Sequence, residues 1–188
     1  MSEPVKEENY AKDQARAQYE SICEMVAALE VDYDRLDELR NELEAVHSDE
    51  AYDLYYGNKP IEFMIDLFAS DDFYKLHHEA VEYKQLLAAA GDCENQDAAR
   101  DRIQEDPLSI QVRSGWVSPG GDEMVAEDFE ILLCTGGPAV RIMGELDENL
   151  QPDRAWLEYQ DWGTPWTHYF DVEQSTLLAY CREFYFGG

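Results

Sequence analysis

Basic residues are scarce in this chain, which has 14 Lys and Arg against 42 Asp and Glu and a formal net charge of -28 over 188 residues. A surface this negative repels phosphate groups, so the composition argues strongly against direct binding to DNA, RNA or an anionic membrane. Duplex DNA carries roughly one charge per 1.7 Å, so 28 negative charges correspond to about 48 Å of duplex. A compact chain of this length is about 40 Å across, so the protein carries about as much charge as a DNA segment of its own size. The composition therefore raises the hypothesis that the protein mimics nucleic acid.

Cysteine pairs and long apolar runs are also missing. The four cysteines (Cys23, Cys93, Cys134 and Cys181) are far apart and none forms a Cys-x-x-Cys pair, which favours reduced thiols. No apolar run approaches the roughly 20 residues that cross a bilayer. The N-terminal stretch MSEPVKEENY lacks a charged segment followed by an apolar one. We therefore expect a soluble, cytoplasmic protein.

Apolar residues, in contrast, are sufficient for a core. The chain is 45% hydrophobic and 12% aromatic, whereas charged disordered segments are poor in aromatic residues. The acidic excess is present throughout, with 28 acidic and 10 basic residues in 1–106 and 14 and 4 in 107–188. Solubility and adaptation to high salt are the alternative explanations for this excess.

The first part of the chain has the apolar spacing of α-helices. Residues recurring at intervals of three and four predict a helix from about Asn9 to Glu30 and a second helix directly after it. The first set is Tyr19, Ile22, Cys23, Val26 and Leu29, and the second is Leu36, Leu39, Leu43 and Val46. Asp32 or Asp34 can act as the N-cap of the second helix. The short link between the two favours an antiparallel pair.

Three further helices are predicted before Pro107. One follows Pro60, which suits a first helical turn, and another begins after Ser70 and ends at Gly91. The last covers about Asp97–Glu105, because Pro107 stops it. Residues 1–106 are therefore predicted to form an acidic helical region.

After Pro107 the apolar period changes from about 3.6 to 2, which indicates β-strands. Four short strands with tight turns are predicted, and such a series favours an antiparallel meander. They are Leu108–Trp116, Phe129–Cys134, Val140–Leu146 and Ala155–Gln160. A closing helix is predicted from Asp171, with Gln174 as its capping-box partner. The expected fold class is α+β, with a helical N-terminal part (1–106) and a four-stranded sheet with a packed C-terminal helix (107–188).

Acidic residues near the first two helices are the candidate binding surface. The residues proposed as a mimic of DNA phosphates are Glu30, Asp34, Asp37, Glu38, Glu42, Glu44, Asp49 and Glu50. Carboxylates at positions i and i+4 of a helix lie about 6 Å apart, close to the spacing of successive phosphates, so they suit Lys and Arg of a nucleic-acid groove.

The segment YQDWGTPWTHYF, residues 159–170, is a second candidate surface. Trp162, Trp166 and Tyr169 are proposed as an aromatic anchor for a protein partner. The competing interpretation, which we favour from the sequence, is a loop whose rings close the end of the sheet core.

Catalytic and metal-binding patterns are weak. His78 and Glu82 lie one helical turn apart, but the sequence offers no third ligand at a matching spacing. Cys134 and Cys181 have only His168 as a plausible base, with no supporting pattern. We expect no enzyme activity, no metal and no cofactor.

Four segments of the C-terminal half carry a resemblance: RIQEDPLSIQVRSGW, EILLCTGGPAVRI, LEYQDWGTPWTHYF and FYFG. Over about 80 residues they resemble a group of small uncharacterised acidic proteins of bacteriophages and proteobacterial mobile elements. The resemblance implies a host-cell cytoplasmic setting, in which small acidic proteins commonly block host defence. It identifies no catalytic residues.

Together these observations predict a non-enzymatic inhibitor of a host defence complex. The protein would be an anti-CRISPR or anti-restriction protein that acts as an acidic DNA mimic on a basic nucleic-acid-binding surface. The alternative is a small acidic adaptor that binds a protein through residues 159–170. Whether the chain forms a homodimer through its helical pair stays open.

Overall fold

The computed structural model describes residues 9–47, 77–116, 118 and 124–187. Within these ranges the chain is an α+β protein with five helices and one five-stranded antiparallel sheet. The helices are α1 (Tyr10–Leu29), α2 (Tyr33–His47), α3 (His77–Ala90), α4 (Gln96–Glu105) and α5 (Gln174–Cys181). The strands are β1 (Ser109–Ser114), β2 (Ala126–Cys134), β3 (Ala139–Leu146), β4 (Pro152–Gln160) and β5 (Thr167–Tyr169). The helix predicted after Pro60 and the start predicted at Ser70 lie outside the described residues.

Local capping explains where several helices begin and end. Asp32 is the N-cap of α2, because its Oδ1 accepts a hydrogen bond from the backbone N–H of Arg35 at 2.9 Å. Asn95 caps α4 in the same way, through the N–H of Ala98 at 2.8 Å. Gly91 follows α3 with a φ of 57°, the left-handed conformation that glycine tolerates best. The predictions for Asp32 and Gly91 are confirmed, whereas the Asn95 cap was not predicted.

The predicted capping box of the C-terminal helix is wrong. α5 begins at Gln174, and its N-cap residue Glu173 makes no side-chain capping hydrogen bond. The backbone N–H of Glu173 instead donates to the hydroxyl of Tyr19 on α1 at 2.7 Å. A residue 154 positions away therefore satisfies one backbone N–H at this end of the helix, and no local sequence pattern indicates that contact.

The sheet has five strands and not the predicted four. Its order is β1-β2-β3-β4-β5, and every neighbouring pair is antiparallel. The missed strand β5 has only three residues and pairs Tyr169 with Leu157 of β4. Three residues are too few to show a period of two, so the sequence alone did not reveal this strand.

Alternate residues of β2, β3 and β4 form the core of the sheet. Phe129, Ile131, Ile142 and Leu157 are at most 1% exposed. From α5, Tyr180 is fully buried and donates its hydroxyl hydrogen to Asp106 at 2.6 Å. Burial, followed by the Asp106 carboxylate, raises the pKa of Tyr180 well above its usual value.

Contacts divide the chain into two compact units. One comprises Met1–Val26 and Arg100–Gly188, which we call the sheet unit, and the other is Ala27–Ala99, the helical unit. Inside the helical unit, Arg35 of α2 forms a two-pronged hydrogen bond to Glu82 of α3 at 3.1 and 3.0 Å. The sequence-based division into an acidic helical region (1–106) and a domain of antiparallel sheet plus helix (107–188) stays a prediction.

Candidate protein-binding surfaces

The exposed face of α2 carries the carboxylates that the sequence analysis selected. Leu36, Leu39 and Leu43 are buried on the opposite face. At 100° per residue, the acidic side chains span about 160° of the helix circumference. We call this set the acidic stripe; its members, all exposed, are Asp34, Asp37, Glu38, Glu42 and Glu44.

Two arginines lie at the margins of the acidic stripe, so α2 is not free of cations. Arg35 is 3.4 Å from Glu38 and also holds Glu82, and Arg40 is 3.2 Å from Glu44. The hydrogen bonds from Arg35 lower the pKa of Glu82 below its usual range. Within the part of the chain that the structure describes, no ion pair within 4.0 Å involves the other three members of the stripe. Their charge is therefore available to a partner.

The remaining acidic candidates are less well defined. Glu30 is exposed in the turn after α1, where its N–H donates to the carbonyl of Ala27 at 3.2 Å. Asp49 and Glu50 lie outside the described residues.

An acidic cleft of about 320 Å³ lies beside the first turn of α2 in the helical unit. The side-chain amide of Gln96, one of the lining residues, donates to the carbonyl of Leu29 at 3.0 Å. The cleft is lined by Val31, Asp32, Tyr33, Asp34, Asn95, Gln96 and Asp97. Sequence reasoning did not find it, because the two lining segments are about 60 positions apart in the chain.

The aromatic segment, residues 159–170, is only partly exposed. Trp162 is 78% exposed and Phe170 is 84% exposed, whereas Tyr169 is 5% exposed and belongs to the core. Trp166 is half-buried, with its ring 4.0 Å from the guanidinium of Arg141. The proposed anchor is therefore wrong for Tyr169, and the favoured interpretation of a closed loop is wrong for Trp162.

Arg141 organises the sheet face on which Trp166 lies. Its guanidinium donates to Glu158 at 2.9 and 2.7 Å and to Glu130 at 2.6 Å. The Trp156 indole also donates to Glu158, at 3.2 Å. We call these residues the Arg141 network. They project from the middle three strands of the sheet. The only sequence signal that could have placed them on one face is the alternating direction of successive side chains along each strand.

His168 extends the network towards the aromatic segment. Its Nε2 is 3.4 Å from Glu158, and its ring lies between those of Trp156 and Phe170, with centroids at 6.2 and 5.8 Å. Phe170 is thus held on a stack of rings while its outer face stays exposed. The stacked rings supply an apolar contact surface beside the Arg141 network.

The described residues contain neither a metal-ligand cluster nor a helix able to span a membrane. Residues 9–47, 77–116, 118 and 124–187 contain no group of three or more His, Cys, Asp or Glu side chains that could hold a metal ion. None of the helices in these ranges is long and apolar enough to cross a membrane.

Comparison with protein-family models, curated proteins and solved structures finds no match for the chain.

Proposed function

We propose that this protein is a non-enzymatic inhibitor of a host defence complex, of the anti-CRISPR or anti-restriction kind. It acts as an acidic DNA mimic that occupies a basic nucleic-acid-binding surface of its target. The observation that carries the proposal is the acidic stripe of α2, in which five exposed carboxylates share one helix face. The net charge of -28 supports it, because a basic groove attracts so negative a molecule over long distances.

The spacing within the stripe suits a phosphate-binding groove. Asp34, Glu38 and Glu42 follow one another at four-residue intervals, which is a rise of about 6 Å per step along the helix. Each carboxylate can accept a two-pronged hydrogen bond from an arginine of the target, as a phosphate does. The acidic cleft beside Asp34 offers a further place for a basic side chain.

Binding to the target is expected to weaken steeply with salt. The proposed contacts are carboxylate to Lys or Arg, and exposed charges are screened beyond about 8 to 10 Å at physiological ionic strength. We expect the dissociation constant to rise at least about tenfold between low and moderate salt. The measurement uses a panel of purified CRISPR effector complexes and restriction enzymes, with duplex DNA as competitor. A salt-independent affinity would contradict mimicry.

Reversing charge on the acidic stripe is expected to abolish inhibition without unfolding the protein. The variant is Asp34→Lys, Glu38→Lys and Glu42→Lys, which leaves the Asp32 cap and the buried leucines intact. The loss is measured as recovered DNA cleavage by the target, with circular dichroism as the folding check. We expect a small change in stability, because exposed ion pairs contribute only about 0.2 to 1 kcal/mol.

A matched triple variant separates local contacts from total charge. Asp101→Lys, Glu148→Lys and Asp153→Lys change the net charge by the same amount at exposed positions in the sheet unit. This control is expected to inhibit nearly as well as the parent. If it loses inhibition and the α2 variant does not, the mimicking surface lies on the sheet unit.

The exposure of Trp162 and Phe170 favours a second candidate function, an adaptor that binds a protein through the aromatic segment. Large exposed aromatic rings are typical of binding anchors. In this case the acidity serves solubility, and binding depends little on salt.

Removing both rings distinguishes the two functions. Trp162→Ser with Phe170→Ser is expected to lower the free energy of unfolding by about 1 kcal/mol or less, because both side chains are mostly exposed. If the adaptor function holds, the variant binds its partner more weakly by about 2 kcal/mol or more. If mimicry holds, the variant inhibits like the parent. Urea unfolding and the inhibition assay report the two outcomes.

A further inference from the structure

β1 is an edge strand of the sheet. It is the first strand in the order β1-β2-β3-β4-β5, and among the described residues it pairs only with β2. Half of its backbone N–H and C=O groups therefore point away from the sheet, in the arrangement that accepts a further strand.

The apolar residues of β1 lie on the core face of the sheet but stay exposed. Ile110 pairs with Ile131 and Val112 pairs with Phe129, so each shares a face with a fully buried neighbour. Nevertheless Ile110 is 38% exposed and Val112 is 50% exposed. Leu108, two residues earlier, is 58% exposed. Among the described residues, the core row of the sheet thus continues onto an edge where its side chains are partly exposed.

β1 itself lacks the side chains that usually protect an edge strand. Edge strands commonly carry Lys, Pro or a charge on the buried face. β1 has the sequence SIQVRS, and its single charge, Arg113, alternates onto the other face and pairs with Asp128. The irregularity between Arg113 and Ser114 comes only at the end of the strand.

The distribution of charge indicates which kind of strand can pair with the free edge of β1. Residues 107–121 contain no Asp or Glu, the longest acid-free stretch in a chain with 42 acidic residues. β1 itself offers no carboxylate to a basic partner, and Asp128 and Glu130 of the neighbouring β2 are held by Arg113 and Arg141. Two copies of this acidic chain therefore repel each other less along β1 than along a face with unpaired carboxylates. Because an antiparallel strand pair has a two-fold axis, the same strand can serve both partners.

We propose that β1 pairs antiparallel with β1 of a second copy, joining the two sheets into one. Pairing centred on Gln111 places Ile110 opposite Val112 of the copy, so the two apolar rows meet on the same face. Leu108 of the copy then lies opposite Ser114, beside an apolar cleft of about 490 Å³. The cleft is lined by Val112, Ser114, Met124, Val125, Ala126, Leu150 and Phe186.

The mass of the parent protein in solution tests this proposal. Sedimentation velocity over a dilution series is expected to show a monomer–dimer equilibrium that shifts towards dimer as salt rises from low to moderate concentration. Salt screens the repulsion between two molecules of charge -28, so its effect is opposite to that expected for binding a basic target. This measurement is independent of the proposed inhibitor function. A parent that stays monomeric at all concentrations and salts overturns the proposal.

Two variants locate the interface. Ile110→Lys with Val112→Lys places charges in the apolar row and is expected to raise the dimer dissociation constant at least about tenfold, since like charges then oppose each other across the two-fold axis. Thr167→Lys adds a charge at an exposed position of β5, the opposite edge of the sheet, and is expected to leave the dimer intact. If the double variant dimerises like the parent, the interface lies elsewhere, and the β1 pairing is wrong. If the double variant folds poorly, the salt dependence of dimerisation by the parent protein still tests the proposal.

Discussion

Replacing Gly144 with alanine is expected to lower the free energy of unfolding by about 3 kcal/mol, a value typical of severe overpacking. A Cβ at this position of β3 would overlap the ring of Phe129 and the backbone carbonyl oxygen of Arg154. The ring is held by Phe186, whose centroid is 4.6 Å away. The carbonyl belongs to β4, which is paired with β3, so neither neighbour can move freely.

Urea denaturation of the parent and the Gly144→Ala variant measures this effect. Phe129→Leu in the same background removes part of the overlap, and the double variant is expected to lose less stability than the two single changes added together. Equal stability of Gly144→Ala and the parent would show that the sheet does not pack in this way.

Replacing Arg141 with methionine is expected to cost about 2 to 4 kcal/mol. Breaking a buried charge cluster typically costs about 3 to 5 kcal/mol, and the value is reduced here because the Arg141 side chain is 19% exposed. The change leaves Glu130 and Glu158 close together without their cation and removes the support beneath Trp166. The free energy of unfolding and tryptophan fluorescence report the two consequences.

Arg154 provides the matched control for this prediction. Its side chain is 65% exposed and lies 3.4 Å from Glu145, so Arg154→Met is expected to cost only about 0.5 kcal/mol. Adding Glu158→Gln to Arg141→Met is expected to restore part of the stability, because a neutral amide does not repel Glu130. Similar losses for the two arginine variants would contradict a special role for the Arg141 network.

Local periodicity predicted much of the fold. Helices α1 and α2 and strands β2, β3 and β4 were found from apolar spacing, because each is long enough to show its repeat. The acidic stripe was predicted for the same reason, since residues on one helix face are fixed by the 100° turn per residue. Gly91 was assigned correctly because a left-handed C-terminal residue is a local requirement.

Contacts between distant residues were not accessible in this way. Glu130, Arg141 and Glu158 come together only when three strands pair in register. The acidic cleft joins two chain segments about 60 positions apart, and the N-terminus of α5 is satisfied by Tyr19. No window of the sequence contains both sides of any of these contacts.

By itself, the sequence determined the charge, the helix and strand types and the residues that share a face. The tertiary structure alone decided which faces are covered. Tyr169 is buried and Phe170 beside it is 84% exposed, although both are aromatic neighbours in one segment. Ile110 pairs with a buried isoleucine and is itself exposed, because β1 is at the edge. Periodicity sets the direction of a side chain relative to its own backbone, whereas burial depends on which other element packs against that side.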